Sequence, residues 1–181
     1  MAALRKASAY SKRSVTPFTR VSKRIQKSFI KVVPPQKIVK FEMGKSSLLR
    51  EGKLPYRLTM ISKEDCQIRH NAFEASRQFV NKKMDKEFAG QYFFKVVPFP
   101  HHIQRENKMI TGAGADRMQT GMQLSFGKSM GKAAILKSGG IIFFVDVPTK
   151  KGIAFARKVL KQVNCKLPCT TSIIQTDNQV E

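Results

Sequence analysis

The 181-residue sequence is poor in acidic residues: 12 Asp and Glu accompany 34 Lys and Arg, so the formal net charge is +22. A charge of this size attracts polyanions and repels itself, which argues against a freely diffusing metabolic enzyme. Apolar residues still make up 41% of the chain, which argues against a disordered polycation. The composition therefore indicates one ordinary domain with a bulk anionic partner.

Long hydrophobic runs and a paired set of cysteines are also missing. No stretch of roughly eighteen apolar residues occurs, so the sequence predicts no transmembrane span. The first ten residues lack the apolar core of a secretory signal. An odd number of cysteines at irregular spacing (Cys66, Cys165 and Cys169) favours reduced thiols over a disulfide framework. These absences predict a protein that stays inside the cell.

Residues 1–36 are predicted to form a basic extension. Eleven Lys and Arg precede Glu42, and no acid lies among them. Prolines at 17, 34 and 35 prevent one continuous helix and interrupt the apolar stripe that a membrane-surface helix needs. Nucleic acid is therefore favoured over membrane as the anion. RNA is favoured over DNA because no helix-turn-helix, zinc-finger or basic-zipper pattern is present.

Residues 37–176 have the periodicity of a folded body, followed by a tail at 177–181. Ser62 is predicted to cap the first long helix, which Gly90 ends, and Thr149 to cap the second. The apolar stripe of the first helix is expected to include Ala72, Ala75 and Phe79. The predicted strands are 38–41, 54–61, 92–99, 132–136, 141–147 and 170–175. Of these, 132–136 and 141–147 are expected to form a hairpin across Ser138-Gly139-Gly140.

The familiar signatures of catalysis and metal binding are weak here. Gly44-Lys45-Ser46 lacks the upstream glycine of a phosphate-binding loop, since Val39 stands at that position. The spacing of Cys165 and Cys169 suits one helical face, but no second ligand pair accompanies them. The acids of the first helix are placed as ordinary helix charges. We therefore predict no catalytic residue, no metal site, no cofactor and no small-molecule substrate.

A long internal loop at 101–123 is the most informative segment. Cations, amides and glycines are combined there without an apolar anchor, and no acid occurs between Asp116 and Asp146. One interpretation is a mobile surface loop. The other is a finger whose glycines approach a sugar-phosphate backbone while arginines pair with phosphate or stack on a base. In that case the basic extension and the basic loop could bracket one ligand.

Several motifs resemble one family closely. They are Cys66-Gln67-Ile68-Arg69-His70, Pro98-Phe99-Pro100-His101-His102, Arg105-Glu106-Asn107-Lys108-Met109, Thr111-Gly112-Ala113-Gly114-Ala115-Asp116-Arg117 and Phe126-Gly127-Lys128. Together they are similar to the large-subunit ribosomal proteins called L sixteen in bacteria and L ten e in archaea and eukaryotes. The resemblance covers roughly residues 37–174, and the sequence of the loop resembles that of the archaeal members.

The resemblance implies an α+β fold of the α/β-hammerhead type: a single domain with a largely antiparallel sheet, two main helices and the basic extension. It implies a structural protein that is not an enzyme, bound in the cytoplasm to large-subunit ribosomal RNA near the aminoacyl-tRNA site. Expected partners are that RNA, tRNA in the aminoacyl and peptidyl sites, and neighbouring ribosomal proteins. The alternatives are an extra-ribosomal RNA-binding protein and an RNA-modifying enzyme.

Charge and resemblance together give two sets of expected contact residues. The predicted ribosomal RNA contacts are Arg5, Lys6, Lys12, Arg13, Arg20, Lys23, Arg24, Lys128 and Lys132. The family's internal loop reaches toward the peptidyl-transferase region and the tRNA acceptor end, and it corresponds to residues 101–119 here. Its expected contact residues are His101, His102, Arg105, Asn107, Lys108, Gly112, Gly114 and Arg117.

Overall fold

The computed structural model describes residue 11 and residues 16–21, 30–106 and 127–177. Within residues 42–106 and 127–177 the main elements alternate between strands and helices. In chain order they are β1 (Glu42–Gly44), α1 (Ser46–Arg50), β2 (Tyr56–Ser62), β3 (Cys66–Arg69), α2 (His70–Phe88), β4 (Phe93–Val96), β5 (His102–Glu106), β6 (Lys128–Leu136), β7 (Ile141–Val147), α3 (Lys150–Val163), a 3-10 turn (Asn164–Lys166) and β8 (Thr171–Asp177).

Five strands form one antiparallel sheet in the order β1, β4, β7, β2, β8. Side chains alternate along β2, so Leu58 and Met60 are buried while Thr59 between them is partly exposed. The buried side of the sheet packs against α2 and α3 in a single apolar core. Within it, Phe73 of α2 meets Phe143 of β7 edge to face, with ring centroids 5.9 Å apart.

An ion pair joins β2 to β7 within this sheet. Arg57 and Asp146 occupy directly opposed register positions, and the guanidinium donates to both carboxylate oxygens at 2.7 and 2.9 Å. Asp146 is 0% exposed, and Arg57 also lies over the Phe144 ring, 4.3 Å from its centroid. The hydrogen bonds to Asp146 raise the pKa of Arg57, so the guanidinium keeps its charge in this half-buried setting.

The other three strands form a separate antiparallel sheet in the order β3, β6, β5. Strand β3 runs directly into α2, with His70 following Arg69. The sheet buries polar side chains: Gln67 of β3 and Gln104 of β5 are both buried, and the Gln104 amide donates to Gln67 Oε1 at 3.2 Å. Its interior is therefore more polar than that of the five-stranded sheet.

The predicted hairpin between 132–136 and 141–147 is wrong, although both strands exist. Strand β6 pairs with β3 and β5, whereas β7 pairs with β2 and β4, so the two strands belong to different sheets. The predicted turn does form: Gly139 has φ +82°, and the Gly140 N–H donates to Lys137 O at 2.9 Å. The glycine turn determines where the chain changes direction between β6 and β7, but it does not determine which strands they pair with.

The predicted start of the first long helix is also wrong. Residues 66–69 form β3, and the helix begins only at His70. Ser62 does not cap it, because its hydroxyl donates to Glu64 O at 2.7 Å within a local turn. Gly90 does end the helix, as predicted: the last helical residue is Phe88, Ala89 is the C-cap, and Gly90 follows with φ +82°. Its buried face is shifted from the predicted stripe and consists of His70, Phe73, Ser76, Val80 and Met84.

Two segments predicted as connections contain regular structure. Helix α1 lies between Gly44 and Gly52, a segment predicted to be a polar connection although it contains Leu48 and Leu49. Strand β5 occupies the start of the predicted loop 101–123, because residues 102–106 pair with β6. The rest of that loop lies outside the described residues. The first strand begins at Glu42, just beyond the predicted 38–41.

The predicted class is confirmed: the described chain is α+β, with antiparallel sheets and two main helices. The second long helix is close to its prediction, because the Thr149 hydroxyl accepts a hydrogen bond from the Gly152 N–H at 3.2 Å and Ala156, Leu160 and Val163 face the core. The boundaries at 36 and 176 stay predictions.

Candidate nucleic-acid interface

Strand β5 lies at the edge of the three-stranded sheet and binds a short piece of the N-terminal extension. Phe18 makes two hydrogen bonds there: its carbonyl accepts from the Ile103 N–H, and its N–H donates to His102 Nδ1, both at 3.0 Å. The Ile30 N–H in turn donates to Thr19 O at 3.1 Å. Part of the basic extension therefore forms a backbone hydrogen bond with a sheet edge whose backbone N–H group would otherwise lack this partner.

The His102 side chain is the buried contact between the extension and the sheet. It is 3% exposed, and its ring centroid lies 5.6 Å from that of Phe18. Burial, followed by the nearby His101 and Arg105, lowers the pKa of His102 to about 4. The imidazole is therefore neutral at pH 7, which leaves Nδ1 able to accept the Phe18 hydrogen bond.

Arg105, near the end of β5, also contacts Phe18 of the extension. Its guanidinium carbon lies 4.0 Å from the centroid of the Phe18 ring, a cation–π contact. Its register partner on β6 is Ser129, next to Lys128, and the pairing shifts between Gln104 and Arg105. This irregularity lies near the end of β5, and such bulges locally bend and twist a strand.

The strands β5 and β6 approach each other closely at the base of the predicted finger. Gly127 lies so near β5 that a Cβ there would stand 2.6 Å from the Glu106 carbonyl carbon. Only glycine fits this contact without displacing the backbone. Lys128, the next residue, lies opposite Glu106 in the register. Glu106 and Gly127, the described residues on either side of 107–126, therefore lie side by side at one point of the three-stranded sheet.

The structure brings several predicted contact residues to this sheet and its docked segment. His101 is exposed and His102 buried, as alternation along an extended chain requires. Arg20 and Lys128 are exposed, whereas Arg105 and Lys132 are partly buried. The other predicted contact residues lie outside the described part of the chain: Arg5, Lys6, Lys12, Arg13, Lys23, Arg24, Asn107, Lys108, Gly112, Gly114 and Arg117.

The Gly44-Lys45-Ser46 segment does not have the geometry of a phosphate-binding loop. The Lys45 N–H donates to Tyr92 O at 3.1 Å, so this backbone donor already has a partner in the protein. Gly44 has φ +84°, and a Cβ on it would meet Tyr92 O at 2.0 Å. The glycine serves the close packing of β1 against β4.

The described residues contain no group of three or more His, Cys, Asp or Glu side chains that could hold a metal ion. Cys165 is exposed, whereas Cys169 packs against the core that contains Cys66.

No helix within the described ranges is long and apolar enough to cross a membrane.

Sequence reasoning misses the buried polar residues of this sheet. Gln67 and His70 stand out in the sequence only as part of a family motif, and no motif marks Gln104. Their importance depends on the pairing of β3, β6 and β5, which joins segments far apart in the chain. One sequence signal could have identified β3: polar and apolar residues alternate from Cys66 to Arg69, and a strand places them on opposite faces.

The described residues define a basic α+β protein in which part of the N-terminal extension is bound to the edge of the three-stranded sheet. A family model described as "Ribosomal protein L16p/L10e" matches residues 16–174. The chain belongs to this family.

Three similar proteins are each named "Large ribosomal subunit protein uL16" and are archaeal. The protein of Sulfolobus acidocaldarius is 42% identical over 173 residues, covering 94% of this chain and 92% of the relative. The Staphylothermus marinus protein is 41% identical over 172 residues, with the same coverages. The Methanococcus maripaludis protein is 40% identical over 178 residues, covering 98% of this chain and 96% of the relative. The predicted archaeal-like family is thereby confirmed.

Proposed function

We propose that this protein is a structural component of the large ribosomal subunit, bound in the cytoplasm to large-subunit ribosomal RNA near the aminoacyl-tRNA site. The observation that carries the proposal is its membership of a ribosomal protein family over residues 16–174. The net charge of +22 supports it, because the phosphate backbone of RNA is a polyanion that such a charge can neutralise. Its role is architectural, and peptide-bond chemistry is left to the RNA.

The mechanism divides among three parts of the chain. The basic extension, residues 1–36, neutralises phosphates in crevices between RNA helices. The body, residues 37–176, provides a rigid support, and the finger within 101–123 acts near tRNA. The docking of Phe18 on β5 supports a mechanical link between extension and finger, since Phe18 contacts both His102 and Arg105.

Sedimentation of a cell extract tests the proposal. On a sucrose gradient the protein is expected to migrate with the large subunit and to stay there at raised salt, alongside other large-subunit proteins. A matched gradient after ribonuclease treatment should release it. A pool that remains at the top of the gradient, with or without ribonuclease, would contradict the proposal.

The competing functions are an extra-ribosomal RNA-binding protein and an RNA-modifying enzyme. An enzyme requires a positioned acid, base or metal. In the described ranges no group of three or more His, Cys, Asp or Glu could hold a metal ion, and the helix acid Glu74 forms an ion pair with Arg77 at 2.6 Å. Modification of protein-free ribosomal RNA by the purified chain would favour the enzyme. A soluble RNA complex smaller than the subunit would favour the extra-ribosomal protein.

Contacts with tRNA can be tested apart from assembly. Changing Arg105 or Arg117 to Ala is expected to slow tRNA binding to purified ribosomes more than it lowers the protein's stability. Subunits carrying either variant should be isolated at normal yield, which serves as the control. Normal tRNA binding by these subunits would contradict a tRNA contact.

A further inference from the structure

Two of the three cysteines lie near the turn at residues 62–66, which connects the five-stranded sheet to the three-stranded sheet. Cys66 is the first residue of β3, and Cys169 lies two residues before the start of β8. Cys66 is 5% exposed and belongs to the apolar core, whereas Cys169 is partly exposed and packs against that core. One thiol is thus buried, and the other is accessible to solvent.

Hydrogen bonds hold the segment of Cys169 against this turn. The Lys63 N–H donates to Thr170 O at 2.9 Å. The Thr170 hydroxyl donates to the side-chain carboxylate of Glu64. Cys169 directly precedes Thr170, so the backbone of Cys169 is held beside the turn that leads to Cys66.

Strand pairing directs the two cysteine side chains to the same buried hydroxyl. Ser62 is 0% exposed and is the register partner of Thr171, so their side chains lie on one face of the sheet. Alternation adds Cys169 and Ile173 to that row, and both pack against the core. From the other side, Cys66 Sγ lies 3.5 Å from Ser62 Oγ. The register and the packing therefore bring the two thiols together beside Ser62.

The acidities of the two thiols agree with this contact. A hydrogen bond with Cys66 has the largest influence on Cys169 and, although burial opposes it, lowers the pKa of Cys169 to about 7. The same hydrogen bond, followed by burial, raises the pKa of Cys66. At neutral pH the accessible Cys169 is therefore partly a thiolate, the nucleophilic form, while the buried Cys66 keeps its proton.

We propose that Cys66 and Cys169 form an oxidation-sensitive pair, which closes to an intrachain disulfide when the protein meets a peroxide. This inference goes beyond the proposed function and does not depend on it. The arrangement supplies both parts that the reaction needs: an accessible thiol to be oxidised and a second thiol in contact with it.

The reaction has two steps. The Cys169 thiolate attacks one oxygen of hydrogen peroxide and breaks the O–O bond, which leaves a sulfenic acid on Cys169 and a hydroxide that takes up the proton released by the thiol. The Cys66 sulfur then attacks the sulfenic sulfur: the S–S bond forms, the S–O bond breaks, and the hydroxyl leaves with the Cys66 proton as water. In sum, two thiols and one hydrogen peroxide give one disulfide and two waters.

The cross-link would join β3 to the segment before β8, and so connect the two sheets by a second covalent path. It would close a loop from Cys66 to Cys169, and a cross-link across so long a loop restricts the unfolded chain strongly. The oxidised protein is therefore expected to unfold at higher urea concentration than the reduced protein. In a reducing environment the pair stays as two thiols.

Peptide mapping of the purified full chain tests the proposal. The protein is treated with hydrogen peroxide near neutral pH, at increasing concentration until Cys165 is also oxidised. Remaining thiols are blocked with iodoacetamide, and the unreduced protein is digested and analysed by mass spectrometry. At low peroxide we expect a peptide pair joined through Cys66 and Cys169, with Cys165 still alkylated. A thiol reductant should separate the pair.

Two variants provide matched controls. Cys165→Ser removes the exposed cysteine of the 3-10 turn, whose thiol donates to Gln162 O at 3.1 Å, and should leave the cross-link unchanged. Cys169→Ser alters a partly exposed position and should abolish both the cross-link and the rise in the urea midpoint on oxidation. Urea unfolding of each variant in reductant shows that the substitution preserves the fold.

The outcomes decide the proposal. A cross-link between Cys66 and Cys169 that forms before Cys165 is oxidised, and that raises the urea midpoint, supports it. A disulfide that involves Cys165, within one molecule or between two, overturns it. Oxidation of Cys169 beyond the sulfenic acid while Cys66 remains a thiol also overturns it, as does the absence of any disulfide once Cys165 is oxidised.

Discussion

The two sheets of this protein differ in how completely they satisfy their buried groups. In the five-stranded sheet the core is apolar, and the buried Asp146 receives two hydrogen bonds from Arg57. Beside the three-stranded sheet, His70 Nδ1 and Gln104 Oε1 are buried without a partner in the described residues. Among the described residues, the buried ion pair of the first sheet is satisfied within the protein, whereas buried polar atoms in and beside the second sheet are not.

The largest effect of a single substitution is expected from breaking the ion pair of the five-stranded sheet. Arg57→Ala should lower the free energy of unfolding by about 3–5 kcal/mol, because it leaves the carboxylate of Asp146 buried without its partner. Urea unfolding measures this loss. Arg157→Ala, an exposed arginine of α3, is the control and should cost less than about 0.5 kcal/mol. Equal losses of unfolding free energy in Arg57→Ala and Arg157→Ala would show that the buried ion pair contributes no more than an exposed arginine.

Acidification should act mainly on the three-stranded sheet. The folded pKa values of His70 and His102 are about 4, below the ordinary 6.5, so the unfolded chain binds protons first as pH falls. Their stabilisation is complete above pH 6.5 and is lost between pH 6.5 and about 4. The loss is on the order of 3 kcal/mol for each histidine.

Urea unfolding across this pH range measures the effect, and His102→Gln should remove part of it. Protonated His102 can no longer accept the Phe18 N–H, so hydrogen exchange at Phe18 should quicken in the same range. Constant stability from pH 7 to 4 would show that these imidazoles are not buried as neutral groups.

A smaller effect is expected from the cation–π contact on the docked extension. Arg105→Ala should cost about 0.5–1 kcal/mol and loosen Phe18 from β5. Arg105→Lys keeps the charge and should retain part of the contact. Hydrogen exchange at Ile103, whose N–H donates to Phe18 O, reports the loosening. Unchanged protection at Ile103 in Arg105→Ala would argue against this contact.

The smallest change in stability should follow from removing residues 1–15, because this truncation keeps Phe18, which makes the described hydrogen bonds of the extension with β5. This truncation deletes Arg5, Lys6, Lys12 and Arg13, and every phosphate that is no longer neutralised should reduce the salt slope of RNA binding by about 0.7–0.9. Unfolding and RNA titration are measured on the same preparation. A large loss of stability with an unchanged slope would reverse the roles assigned to extension and body.

The sequence predicts elements whose signals are local. Thr149 lies directly before the amphipathic stripe of α3, and β2 and β7 are dense in apolar residues, so these elements lie close to their predictions. The errors arise where pairing is nonlocal. Residues 66–69 follow two acids and precede a helical pattern, and only pairing with β6 makes them a strand.

The candidate site is predictable in its charge but not in its polar interior. Lys128, Lys132 and Arg105 stand out because few acids balance that stretch of the sequence. His70 does not, since its burial depends on the close approach of Gly131 from a strand far away in the chain. The contact of Phe18 with β5 joins residues separated by 84 positions, and no local pattern predicts it.

Ultraviolet crosslinking of RNA to protein in intact large subunits, followed by mass spectrometry of the peptides, tests the central claim most directly. The account predicts crosslinks to ribosomal RNA in peptides from the three-stranded sheet, including those that contain Arg69, Arg105 and Lys132. Large subunits that contain the protein but yield crosslinks only in peptides from the five-stranded sheet and α3 would contradict it.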